Sequence, residues 1–368
     1  MNRCVPRADF RMGISDERIQ HDGRLHRPEP TVIMSTLRNE PPVMADQPER
    51  AVQASQSVVD RHRLPTPSAA QPLKINWRYF ISIPLVHLLA LLAFVPWFFS
   101  WTGVALCVLG HFFVGSLGIS VGYHRLLTHR GFTCPKWFER TLATLGVICL
   151  QDTPARWVAI HRMHHQHPEE QDDPHSPFVN FLWSHFGWLL FINRDHNRVH
   201  QYERYARDIL QDPYYLRLER WYYWVYVYSL AAAAYYFVGF IVGWAVTGEL
   251  LAGVQFGSSL LVWGVFVRTV FVWHSTWSVN SIGHLFGYRN YPTRDNSRNN
   301  WLVALFSTGE GWHNNHHADP VSARHGHRWW EFDLAWITIR IWEKIGLVSD
   351  VKHPFRTDVT KTSTTTQA

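Results

Sequence analysis

The sequence predicts an all-α membrane protein, with four transmembrane helices in two hairpins and a cytosolic helical cap. Four apolar stretches are the first observation behind this prediction, and they cover residues 79–99, 101–121, 222–246 and 250–273. Each has roughly 20 residues or more, which at about 1.5 Å per residue lets a helix cross a hydrocarbon core of about 30 Å. Helices buried in a large soluble protein are the alternative, but two closely spaced pairs favour the membrane.

The distribution of basic residues is the second observation, and it predicts how the helices cross. Ser100 separates the first two stretches, and Thr247, Gly248 and Glu249 separate the last two, so neither turn carries a lysine or arginine. The segment between the pairs carries twelve. By the positive-inside rule, both termini and the middle segment are expected in the cytoplasm. Arg268 lies near the cytoplasmic end of the fourth stretch, where it can snorkel or pair.

Composition divides the chain into one domain and two tails. Residues 1–72 mix charged residues with Pro, Ser and Gln, and they are predicted to be a disordered tail, as are residues 354–368. Residues 73–353 then form the membrane domain. The net charge of +6 comes from Lys and Arg scattered among aromatic and acidic residues, which indicates attraction to anionic membrane lipid. No nucleic-acid partner is expected.

Four groups of metal-binding residue types lie on the same predicted side of the membrane. They are His124 and His129; His161, His164 and His165; Asn280 and His284; and His313, His316 and His317. Positions i, i+3 and i+4 share one face of an α-helix, so the members of each HxxHH triplet are expected to point together. His124 and His129 are five residues apart, about 140° around an α-helix, and converge only if the helix ends or unwinds between them.

The chemistry of these side chains indicates two metal ions in the cap. Imidazole binds iron, zinc, copper and nickel, and nine imidazoles exceed what one ion can use. A structural zinc site usually closes with four ligands, whereas two redox irons with open positions suit oxygen chemistry. Asn280 is expected to act through a water, because a neutral amide is a weak ligand. Asp172, Asp173, Glu310 and Asp319 are candidates for orienting the imidazoles.

The motifs HRLLTH, HRMHH, NSIGH and GEGWHNNHH resemble, in order and spacing, those of the membrane fatty-acid desaturases of the acyl-CoA desaturase type. The resemblance covers about residues 75–353 and is closest to the bacterial and plant acyl-lipid branch. It implies two irons held by the nine histidines, with Asn280 contributing through water. It also implies a reaction in which O₂ and two external electrons introduce a cis double bond, of the delta-9 type, into a saturated acyl chain.

The same resemblance assigns residues to the substrate and places the enzyme in the cell. Trp277 matches a tryptophan that lines the substrate tunnel, and Phe112 and Ser116 match the chain-length gate on the second span. Phe112 is expected to close the tunnel. The expected location is the inner or plasma membrane of a bacterium, or the endoplasmic reticulum of a eukaryote, with the active site on the cytosolic side.

Departures from the animal-type pattern concern the acyl carrier and the electron donor. Ala159 and Ile160 stand where that branch has an Arg-Asp pair that contacts coenzyme A, and Ile192 and Asn193 replace a basic pair after GWLL. The carrier is therefore open between coenzyme A and a membrane lipid. The chain carries no evident cytochrome b5 haem motif. Electrons are expected from a separate cytochrome b5-like protein, ferredoxin or rubredoxin with its reductase.

Two other functions are compatible with parts of this pattern. A related di-iron hydroxylase or oxygenase of lipids or alkanes shares the first hydrogen abstraction with a desaturase. A haem electron carrier or metal transporter belongs to a different class and would place facing histidines inside the spans, where only His87 and His111 lie. Other histidines near the four groups, such as His175 and His325, are not expected to bind metal.

Overall fold

The computed structural model describes residues 63–220 and 222–355, whose regular structure is helical, with isolated β-bridges but no sheet. The longer helices and the helices of the site are α1 (Trp77–Ala90), α2 (Trp101–Thr128), α3 (Lys136–Ile148), α4 (Pro154–Gln166), α5 (Tyr223–Thr247), α6 (Leu250–Leu285), α7 (Trp301–Phe306), α8 (His313–Ala318) and α9 (Leu334–Lys344). Short helical turns lie at Ser68–Ala70, Leu91–Phe94, Pro96–Phe98, Trp183–Gly187, Trp188–Leu190, Val199–Tyr202, Glu203–Tyr205, Arg207–Leu210 and Pro213–Leu218.

Four helices are long and apolar enough to cross a membrane, which confirms the predicted all-α membrane protein. They are α1 with its following turn, α2, α5 and α6. Their outer faces expose large apolar side chains, such as Phe94 at 83%, Leu230 at 73% and Val246 at 79%. Soluble proteins rarely expose contiguous apolar surface on this scale, so these faces fit a hydrocarbon surrounding.

Two of these helices extend beyond the apolar stretches that predict them. The second runs to Thr128 instead of residue 121, and the fourth runs to Leu285 instead of residue 273. Hydropathy ends a span where polar residues begin, although the backbone hydrogen bonds continue past that point. Both helices include π-helical turns, at His111–Thr128 in α2 and Val262–Val267 in α6. The histidine groups near their ends therefore lie on rigid helical extensions.

The membrane-spanning helices pack around α6. Its partner α5 approaches through glycines: a Cβ on Gly239 would lie 2.8 Å from Gly257 Cα, and a Cβ on Gly257 would lie 2.6 Å from Tyr236 O. Small residues allow helix backbones in a membrane to approach this closely. The helices α1 and α2 each contact the π-helical turns of α6. The fourth predicted span therefore contacts each of the other three.

Arg268 pairs inside the protein instead of reaching outward. Its side chain is fully buried, and Nη2 donates a hydrogen bond to Ile148 O at 3.2 Å. Ile148 is the last residue of α3, where unpaired carbonyls carry partial negative charge. The guanidinium also lies 6.0 Å from the Tyr235 ring centroid. The sequence allowed Arg268 either to snorkel or to pair, and the structure shows that it pairs with groups inside the protein.

Described residues on the tail side of both predicted domain boundaries pack against the domain. Leu64 N donates to Phe178 O at 3.0 Å, and Ala70 is buried. At the other end, Phe355 N donates to Asp319 Oδ2 at 2.9 Å. The predictions for residues 1–62 and 356–368 lie outside the described residues.

The close approach of α5 and α6 predicts a specific sensitivity to side-chain size. We expect Gly257→Val to destabilise the protein by about 1–3 kcal/mol, because its added atoms meet the Tyr236 backbone and overpacking has that cost. Thermal unfolding in nanodiscs, followed by tryptophan fluorescence, measures this loss. Ala234→Val, at an exposed position of α5, is the control. Equal melting temperatures for the two variants would contradict the packing described.

Candidate metal centre

Nine imidazoles gather in two adjacent clusters. The first cluster is His124, His129, His161, His165 and His316, and the second cluster is His164, His284, His313 and His317. Within each cluster the candidate ligand nitrogens all lie within 4.8 Å of one another. The clusters meet where the rings of His165 and His317 stack, with their centroids 4.6 Å apart. Each histidine of the four sequence groups belongs to one of the two clusters.

In the first cluster the rings converge through their Nε2 atoms. The Nε2–Nε2 distance is 3.1 Å between His129 and His161, and also between His161 and His165. His316 Nε2 lies 2.9 Å from His165 Nε2 and 3.1 Å from His124 Nε2. Five potential ligand atoms of one chemical type therefore face a common centre.

The second cluster has the same arrangement with four rings. The Nε2 atoms of His284 and His313 are 3.0 Å apart, and those of His164 and His317 are 3.4 Å apart. The side chain of His284 is fully buried and that of His317 is 2% exposed, so bulk water has little access to these nitrogens.

Buried carboxylates hold the opposite nitrogen of four of these imidazoles. The Nδ1–carboxylate pairs are His124 with Glu310, His164 with Asp173 at 3.0 Å, His284 with Glu169 at 2.9 Å, and His317 with Asp295 at 2.7 Å. A carboxylate that accepts the Nδ1–H fixes the tautomer and points the Nε2 lone pair inward. Several lone pairs facing one another at about 3 Å repel unless a cation lies between them. The donor set therefore fits a metal ion in each cluster.

Burial keeps the inward-facing imidazoles in the form that binds metal. Burial and neighbouring histidines hold the pKa values of His129, His161, His165 and His316 well below the usual range, so these rings are neutral. Burial alone would raise the pKa of Asp173, but the adjacent His164 outweighs it and lowers that pKa. The carboxylate is therefore ionised. Neutral imidazoles backed by ionised carboxylates favour metal over protons.

The π-helical winding of α2 brings His124 and His129 together. His129 N donates to His124 O at 3.1 Å, a backbone bond across five residues, and the Thr128 side chain also donates to Tyr123 O at 2.7 Å. Backbone bonds of this span define the π-helix, whose wider turn places residues five apart near one face. The two ring centroids are 4.8 Å apart. The unwinding expected between His124 and His129 is therefore π-helical winding in place of α-helical winding, and the helix ends at Thr128.

Each HxxHH triplet divides between the two clusters, which the sequence argument does not anticipate. On α4, His161 and His165 join the first cluster while His164 joins the second. On α8, His316 joins the first cluster while His313 and His317 join the second. The three rings of each triplet lie close together as expected, with centroids 4.6–6.1 Å apart on α4 and 4.3–5.9 Å apart on α8, but they face two clusters instead of one. One short helix contributes to both clusters and so fixes the distance between them.

Comparison with known proteins identifies the family. The family model for "Fatty acid desaturase" matches residues 99–347. The chain belongs to the fatty acid desaturase family. It is 42% identical over 279 residues to "sn-1 stearoyl-lipid 9-desaturase" of Anabaena variabilis, covering 76% of this chain and 94% of that protein. It is 37% identical to "Acyl-CoA C20 Delta5-desaturase" of Anemone leveillei, covering 83% of this chain and 94% of that protein.

Two apolar cavities of this desaturase meet at the histidines. The larger has a volume of about 350 Å³ and lies among α1, α5 and α6, and the smaller has about 50 Å³ and lies between α2 and α6. Both are lined by Trp157, His161, Thr276 and Asn280. A chain that occupied both cavities would therefore pass His161 of the first cluster. Asn280 lines both cavities at this junction.

The structure separates the three residues that the resemblance assigns to the substrate. Trp277 lines the larger cavity, and Ser116 lines the smaller one, where its Oγ lies 2.6 Å from Thr308 Oγ1. Phe112 lines neither cavity, and its ring packs edge-on against Phe113. Closure of the tunnel by Phe112 therefore has no support from these cavities.

Sequence reasoning finds only part of the shell around the histidines. Asp173 and Glu310 hold imidazoles as expected, whereas Asp319 accepts from a backbone N–H instead. Glu169 and Asp295 were not among the candidates, although each holds an imidazole of the second cluster. Glu169 lies just after HRMHHQH, but Asp295 lies in a loop with no recognisable spacing to any histidine group. Only the folded chain brings that loop to His317.

Two further histidines support the clusters from outside. His325 Nδ1 lies 3.2 Å from Glu310 Oε2, and its ring centroid is 4.5 Å from that of His316. His175 packs 4.5 Å from His164 by ring centroids. Fully buried Arg125 binds Glu310 through Nη2 at 3.0 Å. These contacts orient the carboxylate and rings that face the metal positions.

Adjacent aspartates allow a matched test of the carboxylate shell. Both oxygens of Asp173 accept hydrogen bonds, from His164 Nδ1, Glu169 N and His175 N, whereas Asp172 is exposed. We expect Asp173→Asn to weaken metal affinity about 10–100-fold, because an amide replaces one acceptor with a donor. Metal content after chelator challenge, measured by mass spectrometry, reports the change. Asp172→Asn is the control, and equal metal loss in the two correctly folded variants would contradict the assigned role.

Proposed function

We propose that this desaturase introduces a cis double bond at carbon 9 of a saturated acyl chain carried by a membrane lipid. The supporting observation is the junction of two apolar cavities against His161, beside two clusters of converging imidazoles. Relatives support the regiochemistry, since the Anabaena protein is named a stearoyl-lipid 9-desaturase and a Nostoc relative, 39% identical, is named "sn-2 palmitoyl-lipid 9-desaturase". The enzyme is then an oxidoreductase of lipid metabolism.

The proposed metal ions are two irons, one in each cluster. The first cluster would hold one iron through its five imidazoles, and the second cluster would hold the other through four, with Asn280 contributing through a water. When bound, the irons supply the oxygen activation that an unactivated C–H bond requires, which side-chain acid–base chemistry cannot provide. Imidazole ligands with water or substrate positions left open suit redox iron.

The protein's own residues position the acyl chain and exclude water. Trp157 lines both cavities at their junction, and Trp273 and Trp277 add to a largely apolar wall in the larger cavity. Thr276 and Asn280 offer small polar groups there. A chain held against this wall presents adjacent methylenes to the histidine side of the junction and leaves little room for solvent. In the overall reaction, O₂ takes two electrons and two protons from the chain and two of each from outside, and leaves as two waters.

Burial of the positions before the second histidine group supports a lipid carrier. Ala159 is fully buried in the apolar core, and Ile160, 5% exposed, lines the larger cavity. Apolar side chains in these places cannot supply the charged contacts that the resemblance associates with coenzyme A. The cytoplasmic side of the membrane is proposed for the active site, because the basic residues flank it. The electrons would come from a separate donor protein.

Expression in a host that lacks the product tests this proposal. We expect gas chromatography–mass spectrometry of total lipids to show a new monoene with its double bond between carbons 9 and 10. His164→Ala, which removes an imidazole of the second cluster, should abolish that product while Asp172→Asn keeps it. An unchanged fatty-acid profile, despite iron-loaded protein and a suitable donor, would refute the proposed function.

The smaller cavity predicts which second-span residue controls chain length. We expect Ser116→Leu to fill this space of about 50 Å³ and shift the products toward shorter chains. Phe112→Ala is the comparison variant, and because Phe112 lines neither cavity we expect little change in product length. Product chain lengths from a mixture of saturated substrates measure both effects. A large shift in product chain length in Phe112→Ala, with no shift in Ser116→Leu, would contradict this prediction and support closure of the tunnel by Phe112.

A further inference from the structure

A third cavity reaches the metal centre from a polar surface. It has a volume of about 540 Å³, and its lining includes His165 of the first cluster together with Glu169, Arg294, Asp295 and Asn296. Within the described residues it shares no lining residue with the two apolar cavities. The histidine clusters therefore have a polar access route in addition to the apolar one.

Five arginines lie on the loop that lines this polar cavity through Arg294 and on a second loop bonded to it, and we refer to them as the arginine surface. They are Arg289, Arg294, Arg298, Arg324 and Arg328, each exposed or half-buried. A hydrogen bond connects the two loops that carry them, from Arg328 Nε to Asn290 Oδ1 at 2.8 Å, and Arg324 Nη2 donates to Arg328 O at 3.4 Å within the second loop. The five positive charges therefore belong to one surface region.

The charge of the arginine surface is not neutralised by ion pairs within residues 63–220 and 222–355. Arg289 donates to the backbone and hydroxyl oxygens of Thr293, and Arg298 donates to Gly287 O and Asn296 Oδ1, all of which are neutral acceptors. Some arginines elsewhere on the described chain, such as Arg130, do pair with carboxylates. A basic surface of this kind attracts an acidic partner over distances of about 10 Å at moderate salt.

Five acidic residues lie near the polar cavity, three of them in its lining, and most of the five are engaged. Glu169 and Asp295 hold imidazoles, and exposed Glu170 pairs with His167 at 3.1 Å. Asp172 is exposed close by. Asp319, half-buried, binds a backbone N–H. The arginines therefore outnumber the carboxylates that are free to oppose an acidic partner.

The loop of the arginine surface contacts the second cluster through single side chains. Asp295, next to Arg294, accepts from His317 Nδ1 at 2.7 Å. Asn296 N donates to Glu169 Oε2 at 2.8 Å, and the other oxygen of Glu169 accepts from His284 Nδ1 at 2.9 Å. A single carboxylate thus links this loop to each of two imidazoles: Asp295 links it to His317, and Glu169 links it to His284.

We propose that an acidic electron-carrier protein docks on the arginine surface and delivers electrons to the metal centre through the Asp295 and Glu169 contacts. This inference rests on the proposed function, in which each turnover needs two electrons and two protons from outside. A carrier with an iron–sulfur or haem group gives up one electron per encounter and leaves oxidised, so two encounters complete the reduction of O₂ to two waters. The polar cavity admits the accompanying protons.

Binding of redox proteins to the full chain in neutral-lipid nanodiscs tests the proposal. The probe is an acidic plant-type 2Fe–2S ferredoxin, and a basic cytochrome c is the charge control. We expect the triple variant R294E/R324E/R328E to weaken ferredoxin binding by roughly tenfold or more in Kd and to flatten its salt dependence. The matched control R204E/R207E/R217E changes three exposed arginines of the 203–218 segment and should leave Kd unchanged.

Activity with two reductants separates docking from chemistry. The triple variant of the arginine surface should lose desaturation driven by ferredoxin and keep desaturation driven by dithionite, which needs no docking site. Equal ferredoxin affinity in the variant and the wild type overturns the proposal while the desaturase function stands. Loss of binding to anionic vesicles with ferredoxin binding retained would make this surface a membrane contact and also overturn it. A wild-type chain without product under either reductant refutes the proposed function itself.

Discussion

The structure of this desaturase depends on one electrostatic constraint: the lone pairs of nine imidazoles converge inside a space from which water is largely excluded. Unprotonated nitrogens at about 3 Å repel one another, and burial disfavours the protonation that would relieve this repulsion at His129, His161, His165 and His316. Cations between the rings satisfy the arrangement, provided that the rings cannot turn away. The carboxylates of Glu169, Asp173, Asp295 and Glu310 restrain four of the rings against that rotation by accepting their outward N–H groups.

Rigid helices carry most of this geometry. The extensions of α2 and α6 beyond the apolar core present His124 and His284 from structures anchored in the membrane, while α4 and α8 each supply imidazoles to both clusters. Because each triplet divides between the clusters, the separation of the two metal positions follows from the rise of a helix. Such an arrangement leaves little freedom for the clusters to move relative to one another.

The two kinds of access have different physical characters. Apolar cavities lined by tryptophans meet at His161, whereas the polar cavity and the arginine surface adjoin His165 and the loop around Asp295. Separate routes suit the proposed reaction, because an acyl chain favours apolar walls whereas protons and the proposed electron carrier are charged and hydrated. They also keep bulk water away from the methylenes where the double bond would form.

The sequence by itself determined the helical class, the four spans and the identity of the nine histidines, because hydropathy and i, i+3, i+4 spacing are local properties. It also indicated Asp173 and Glu310, which stand next to histidine groups. Tertiary structure decided how the triplets divide, how a π-helix joins His124 to His129, and that Glu169 and Asp295 hold distant rings. Tertiary structure also places Ser116 in the lining of the smaller cavity, whereas Phe112 lines neither apolar cavity. These features depend on contacts between remote segments, for which the sequence carries no periodic signal.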